Sequence, residues 1–478
     1  MRSGRGRRDG WALPWRRCAW AAPLLVLVLS GCARYRARPL PAAADLKPDL
    51  AALDLTLPAT APGVPGRRID PAAGISLDAL GLLAARNDPA LRTEAARLAL
   101  ARAGLQQAAT LPNPQLGLGF GALISGPASM PAYTASLSQD LSALITYRPR
   151  VAAARANLGA VDAALLWQEW QVAQAARLLG ARIAGGAQAL RYRRRALALL
   201  SAELRDVAQA TRAGNLGLAA EAPLVAATAQ AGQALATARL AQLTAWQQLD
   251  ALLGLLPTAR FRILPPRLRA PPARIGKLVA GLAARRPDLI GLRLGYRAAD
   301  ETLRAAVLGQ IPALVFGVSG TSDTSGVVSI GPDLTIGLPL FNRNQAAIAA
   351  SRATRALLRA QYRAELDASI GAARATVRRL QLLWADAARA GRQAQAARRL
   401  ARGAARAYAA GNIDQRALVD YQTTALDRAL EATDFRTRVV ADELALDVDL
   451  GRGLPRVRIA PVAGGMRPGA GIGAGTRK

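Results

Sequence analysis

The chain has 478 residues, enough for two or three ordinary domains, yet aromatic residues make up only 4% of it and its formal charge is +31. Lys47, Lys277 and Lys478 are the lysines, so the positive charge is carried by arginine, and histidine is absent. Lack of histidine excludes Ser-His-Asp and Cys-His nucleophilic sites and every His-containing zinc motif. The arginines are scattered and not interleaved with aromatics, so they read as solvated helix faces and no nucleic-acid partner is expected.

The first 31 residues read as a lipoprotein signal peptide. Arg2, Arg5, Arg7, Arg8, Arg16 and Arg17 form a basic region ahead of an apolar run from Trp20 to Leu29. That run is too short to span a bilayer. It ends in Leu29-Ser30-Gly31-Cys32, small residues before a cysteine, so Cys32 is the expected lipidation site and first residue of the processed chain. Ala33 resembles the sorting residue of known lipoproteins destined for the outer membrane. Cys18 and Cys32 are the cysteines, so the body carries no disulfide framework and must be held by packing or oligomerisation.

Residues 32–74 are rich in proline and alanine and read as an N-terminal tether. Ser76-Leu77-Asp78 opens a helix, with Ser76 as cap, running to about Thr110 with an interruption near Asn87-Asp88-Pro89. The hydrophobic period then changes to two. Leu116, Leu118 and Phe120 alternate with Gly117, Gly119 and Gly121; after a turn near Gly126-Pro127, Tyr133, Ala135 and Leu137 alternate with Thr134, Ser136, Ser138 and Asp140. From Pro149 to Ala213 there is no further proline, which permits about 100 Å of helix, with Gly185-Gly186 as a weak spot. Gly214-Asn215 suits a reversal, and a second helix should return from Leu216 to Leu255. Proline-rich residues 257–275 read as a linker.

The second half repeats the first at an offset of about 200 residues. Leu111-Pro112 returns as Ile311-Pro312, Ala213-Gly214-Asn215 as Ala410-Gly411-Asn412, and Leu253-Gly254 as Leu450-Gly451. Leu314, Phe316 and Val318, then Leu334, Ile336 and Leu338, supply two more alternating strands; helices follow from Asn344 to Ala410, with Gly403 another weak spot, and from Asp414 to Leu450. Residues 75–256 and 276–452 are thus two copies of one helix-strand-strand-helix-helix unit, and 453–478 read as a disordered tail. Four strands with one apolar and one small or polar face suit a transmembrane barrel, but four cannot close one, so several copies must contribute.

With these motifs the chain resembles the TolC-like family of outer-membrane efflux proteins. The resemblance is carried by Leu111-Pro112-Asn113-Pro114, by Gly337-Leu338-Pro339-Leu340-Phe341-Asn342-Arg343-Asn344, by the Gly-Asn turns and by the tandem repeat. It implies a mainly α fold with a small β part: a homotrimer with a twelve-stranded transmembrane β-barrel continued by a periplasmic α-helical barrel. It also implies a periplasmic adaptor protein and an inner-membrane pump, RND-type, as partners, and outer-membrane lipid around the barrel. The family closes its tunnel with an aspartate pair; the matching positions are Ala417 and Asp420, leaving Asp420 as the candidate gate. The turns carrying Arg212, Gly214, Asn215, Gly411 and Asn412 match where adaptors engage. The Leu-Pro-Leu-Phe-Asn-Arg-Asn-Gln wording is similar to the heavy-metal-efflux branch.

No phosphate-binding Gly-Lys-Ser/Thr loop occurs, and Gly117-Leu118-Gly119-Phe120-Gly121 has the wrong spacing for a dinucleotide loop and no helix opening on it. A passive channel with no enzyme activity and no cofactor is expected. A periplasmic coiled-coil scaffold lipoprotein without a pore is the alternative.

Overall fold

The computed structural model describes residues 36–57, 67–125, 130–273 and 275–452. The signal region with Cys32, the Gly126-Pro127 turn and the tail 453–478 lie outside the described residues. The chain divides into Met1–Asp45 and Leu46–Lys478. Of the first unit, the described residues 36–45 hold no helix or strand.

The second unit opens with short strands β1 (Thr56–Leu57) and β2 (Arg67–Arg68), paired antiparallel. Helix α1 (Leu77–Asn87) starts at Ser76, whose Oγ accepts from the Ala79 N–H at 3.2 Å. It stops because Pro89 disfavours helical backbone at the residue before it. Asp88 then caps α2 (Pro89–Ala109), its carboxylate accepting from the Ala90 N–H at 2.6 Å. Strands β3 (Gln115–Gly121) and β4 (Ala132–Asp140) follow, then α3 (Ser142–Arg212) and α4 (Ala222–Leu253). Two single turns, α5 (Gly276–Val279) and α6 (Leu282–Arg285), precede α7 (Pro287–Leu308), β5 (Leu314–Ser322), β6 (Val328–Ile336), α8 (Gln345–Ala409) and α9 (Gln415–Asp449).

Three boundaries differ from the sequence reading. Helix α3 begins at Ser142, not at Pro149, and passes through that proline; its 71 residues span about 105 Å. The start is set by β4, because Asp140 at its end accepts from the Ser142 N–H at 2.8 Å. Helix α4 begins at Ala222, after a 3-10 turn at Leu218–Ala220, since Pro223 fits only a first helical turn. Strand β6 runs from Val328 to Ile336, so Leu338 lies beyond it.

The glycines taken as weak spots do not break their helices. A Cβ on Gly185 would meet Thr437 Oγ1 at 2.3 Å, and one on Gly186 would meet Gln242 Oε1 at 2.2 Å. These glycines let α9 and α4 lie against α3, and Gln242 Nε2 donates to the Ile183 carbonyl at 3.1 Å across the gap.

The main core gathers Ile75, Leu80, Leu83, Ala176, Leu249 and Leu253, where α1 lies against α3 and α4. Gly81 permits that approach, since a Cβ there would meet the Ala173 carbonyl at 3.0 Å. The stretch read as a tether joins this core from Leu46 onward: Leu50, Leu55 and Ile69 are buried in it. Residues read as a linker are held too. The Ile75 N–H donates to Arg262 O and the Leu264 N–H to Ile75 O, each at 2.9 Å, and Trp246 meets Phe261 edge-on at 5.1 Å. Proline and alanine hid both segments, because a few leucines and isoleucines between prolines show no period.

Candidate functional site

Strands β3 to β6 form one antiparallel sheet in the order β3-β4-β5-β6. The hairpins of the two halves are joined by β4 and β5, which pair from Tyr133 with Ser322 to Asp140 with Val315. Below the pairing, the Leu141 N–H donates to Leu314 O at 2.8 Å and the Leu314 N–H to Ser142 Oγ at 2.9 Å.

Residues opposite one another in an antiparallel ladder share a face, so the register sorts the side chains. One face carries Leu116, Leu137, Val318 and Pro332 in one row and Leu118, Ala135, Gly320 and Ile330 in the next. The other carries Gly117, Ser136 and Ser319, then Gly119, Thr134, Thr321 and Ser329, with Thr321 and Ser329 hydroxyls hydrogen-bonded at 2.8 Å. The apolar face is bare: Leu118 is 77% and Ile330 80% exposed. Phe120 and Tyr133 pair at 5.6 Å at its turn end, where a membrane barrel places an interfacial aromatic belt. Strands β3 and β6 have no partner on their outer edges among the described residues.

No lysine or arginine stands on any of these strands; Asp333 is the charge in the interior of the polar face, opposite Gly317. No described helix is long and apolar enough to cross a membrane. Leu338, Leu340 and Phe341, past the end of β6, are exposed, Phe341 at 93%.

At the far ends of the long helices, the predicted reversals are close copies. Gly214 has φ +76°, and the Asn215 N–H donates to Ala210 O at 2.9 Å; Gly411 has φ +74°, and the Asn412 N–H donates to Ala407 O at 2.9 Å. Arg212 is exposed beside the first turn. The two tips meet through Gln415 Nε2, which donates to Asp206 of α3. Asp414 caps α9 by accepting from the Ala417 N–H at 2.8 Å. Asp420 follows one turn later, exposed to solvent, with its carbonyl accepting from Thr423 Oγ1 at 3.2 Å.

Buried charges that sequence reasoning missed line the helical body. Arg177 is 2% exposed and donates to Asp78 at 2.7 Å. Arg286 stacks over Trp167 at 4.9 Å and reaches Glu365 at 3.1 Å. Glu169 is buried on α3, and its Oε2 has no hydrogen-bond partner among the described residues. Burial first, and then the charge of Asp162, push its carboxyl up to about 7. Asp250 is pushed up to about 6 by burial, against the pull of Arg260 at 3.1 Å. The only sequence signal for Asp162 and Glu169 is two acids seven residues apart on one helix.

No protein-family model and no curated protein matches the sequence. Solved structures do. The crystal structure of the outer membrane protein VceC from Vibrio cholerae aligns over 79% of this chain and 96% of its own, with a TM-score of 0.63 and 19% identity. The Campylobacter jejuni CmeC outer membrane channel aligns over 80% and 87%, with a TM-score of 0.65 and 13% identity. The chain has the fold of TolC-like outer-membrane channels. The open state of the Neisseria gonorrhoeae MtrE outer membrane channel matches over 89% of this chain and 98% of its own, at a TM-score of 0.58 and 18% identity. In this channel fold the two-faced sheet lies at one end and the Gly-Asn turns at the other.

Proposed function

We propose that the chain is a TolC-like family member, the outer-membrane channel component of a tripartite efflux system. Three copies, each giving four strands, close a twelve-stranded barrel, and their paired long helices continue it as a periplasmic tunnel. The observation that carries this reading is the four-stranded sheet with a bare apolar face, a small polar face and two open edges. In lipid, open edges cost several kcal/mol per unpaired backbone group, so copies of the chain must satisfy them.

The duplicated order of helices and strands supports a tunnel of near-equivalent helix pairs. Acyl chains on Cys32 would anchor each copy. A periplasmic adaptor would engage the turns at Arg212, Gly214, Asn215, Gly411 and Asn412, and an inner-membrane pump of RND type would supply the energy. The wording from Leu338 to Gln345 favours the heavy-metal-efflux branch. Asp420 from three chains would narrow the tip until the adaptor dilates it.

Single-channel recording in planar bilayers, with Asp420→Ala beside wild type, tests both claims. Rare small openings that enlarge in the variant support the gated pore. Equal conductance removes Asp420 from the gate, and no current from a verified, inserted trimer removes the channel.

A further inference from the structure

We propose that Asp333 is a specificity-determining residue that gives the barrel segment of the pore a preference for cations, opposite in sign to the chain as a whole. The inference rests on the channel reading above. Residues 103–147 and 305–342, which contain all four barrel strands, hold no lysine or arginine, in a chain with 63 of them. Their charged residues are Asp140, Asp323 and Asp333.

Cost in lipid explains the absence of charge from the apolar face only. The polar face would accept arginine, and arginine is the commonest charge elsewhere, so its absence there leaves the carboxylates without counter-charge. Two of the three are tied to local backbone. Asp140 accepts from the Ser142 N–H at 2.8 Å where α3 begins. Asp323 is folded into the β5–β6 turn, accepting from the Ser325 and Val327 N–H groups, each at 2.9 Å.

Asp333 is placed differently. It stands within β6 on the same face as Ser329, Thr335 and Thr321, and its partner across the ladder is Gly317. A Cβ at Gly317 would meet the Leu137 carbonyl at 2.9 Å, so no larger side chain fits there to cover the carboxylate. Beyond Gly317 the same row continues with Ser138 and Gln115, both uncharged. In a closed barrel of three copies, threefold symmetry puts the three Asp333 carboxylates at one level of the lumen, whatever the stagger between strands. Fixed negative charge in a narrow, low-dielectric wall raises cation concentration and repels anions.

The test is the reversal potential of single channels in a potassium chloride gradient, for wild type, Asp333→Asn, Asp333→Arg and Asp420→Asn. The proposal expects cation preference in wild type, a potassium-to-chloride permeability ratio lowered roughly threefold or more by Asp333→Asn, and inversion by Asp333→Arg. Anion preference in wild type overturns it, as does an unchanged ratio in Asp333→Asn; loss of preference in Asp420→Asn alone moves selection to the tip. Absence of current in wild type counts against the channel reading instead. A membrane-impermeant thiol reagent supplies a measurement independent of current: on inserted protein it should modify Asp333→Cys and spare Leu334→Cys, and an unreactive Asp333→Cys overturns the assignment.

Discussion

Gly214 and Gly411 take the same left-handed backbone, at φ +76° and +74°, just past the ends of α3 and α8. In each case the glycine N–H donates three residues back, to Thr211 or Tyr408, and the following asparagine N–H donates five residues back. This double bond pattern satisfies helix-terminal carbonyls that would otherwise be orphaned. A Cβ at either glycine meets nothing within 4 Å, so alanine there is penalised by backbone alone. Gly214→Ala and Gly411→Ala should each lower unfolding free energy by about 1 kcal/mol, read from denaturant midpoints of the detergent-solubilised protein. Unchanged midpoints would show that these turns tolerate other conformations.

Glycines inside the long helices separate into two kinds. Gly403 faces open space, so Gly403→Ala should stabilise by about 0.5–1 kcal/mol through helix propensity. Gly185 faces Thr437, whose Oγ1, Cγ2 and Cβ would lie 2.3, 3.3 and 3.4 Å from an added Cβ. Because Thr437 is branched, it cannot swing clear as a long side chain would. Gly185→Ala should therefore destabilise by roughly 1–3 kcal/mol despite its better propensity. Thermal unfolding of the two variants should shift in opposite directions.

Stability should depend on Glu169 in an acid-favouring sense. Its folded carboxyl is pushed up to about 7, above the ordinary glutamate value, so between those values the folded chain holds more protons than the unfolded one. The contribution is full below the ordinary carboxylate range and is lost as pH rises through about 7. Glu169→Gln should abolish this slope and stabilise at pH 8 by on the order of 2–3 kcal/mol. Parallel pH profiles for wild type and variant would refute the assignment.

Strand faces should differ in their tolerance of charge. Leu118→Arg places a cation on the bare apolar face, at a cost of about 2–4 kcal/mol in mid-bilayer, and should suppress membrane insertion. Ser136→Arg, on the opposite face beside Gly117, should insert normally and change conductance only. Membrane flotation of the two variants distinguishes the faces, and equal insertion would mean the sheet is not embedded in lipid.

Much of this protein is local, and local features were legible in the chain. Period-two alternation from Leu116 to Phe120 and from Tyr133 to Leu137 marked strand faces because side chains must alternate about a pleated backbone. Ser76 declared a helix start, and Gly214 and Gly411 declared helix ends, because caps satisfy groups only a few residues away. Contacts between distant segments were not legible. The pairing of β4 with β5, which merges two hairpins into one sheet and sets Gly317 opposite Ser138, depends on register between strands about 180 residues apart. Gly185 and Gly186 looked like breaks until α4 and α9 came against α3, since propensity counts the cost of a glycine but not the close approach it permits. Leu50, Leu55 and Ile69 were likewise invisible as core, because their burial is conferred by α1, α3 and α4 rather than by any pattern of their own. Sequence alone therefore determined where the backbone turns and which strand faces are apolar; tertiary structure decided which faces meet, because burial belongs to pairs of segments and not to either one.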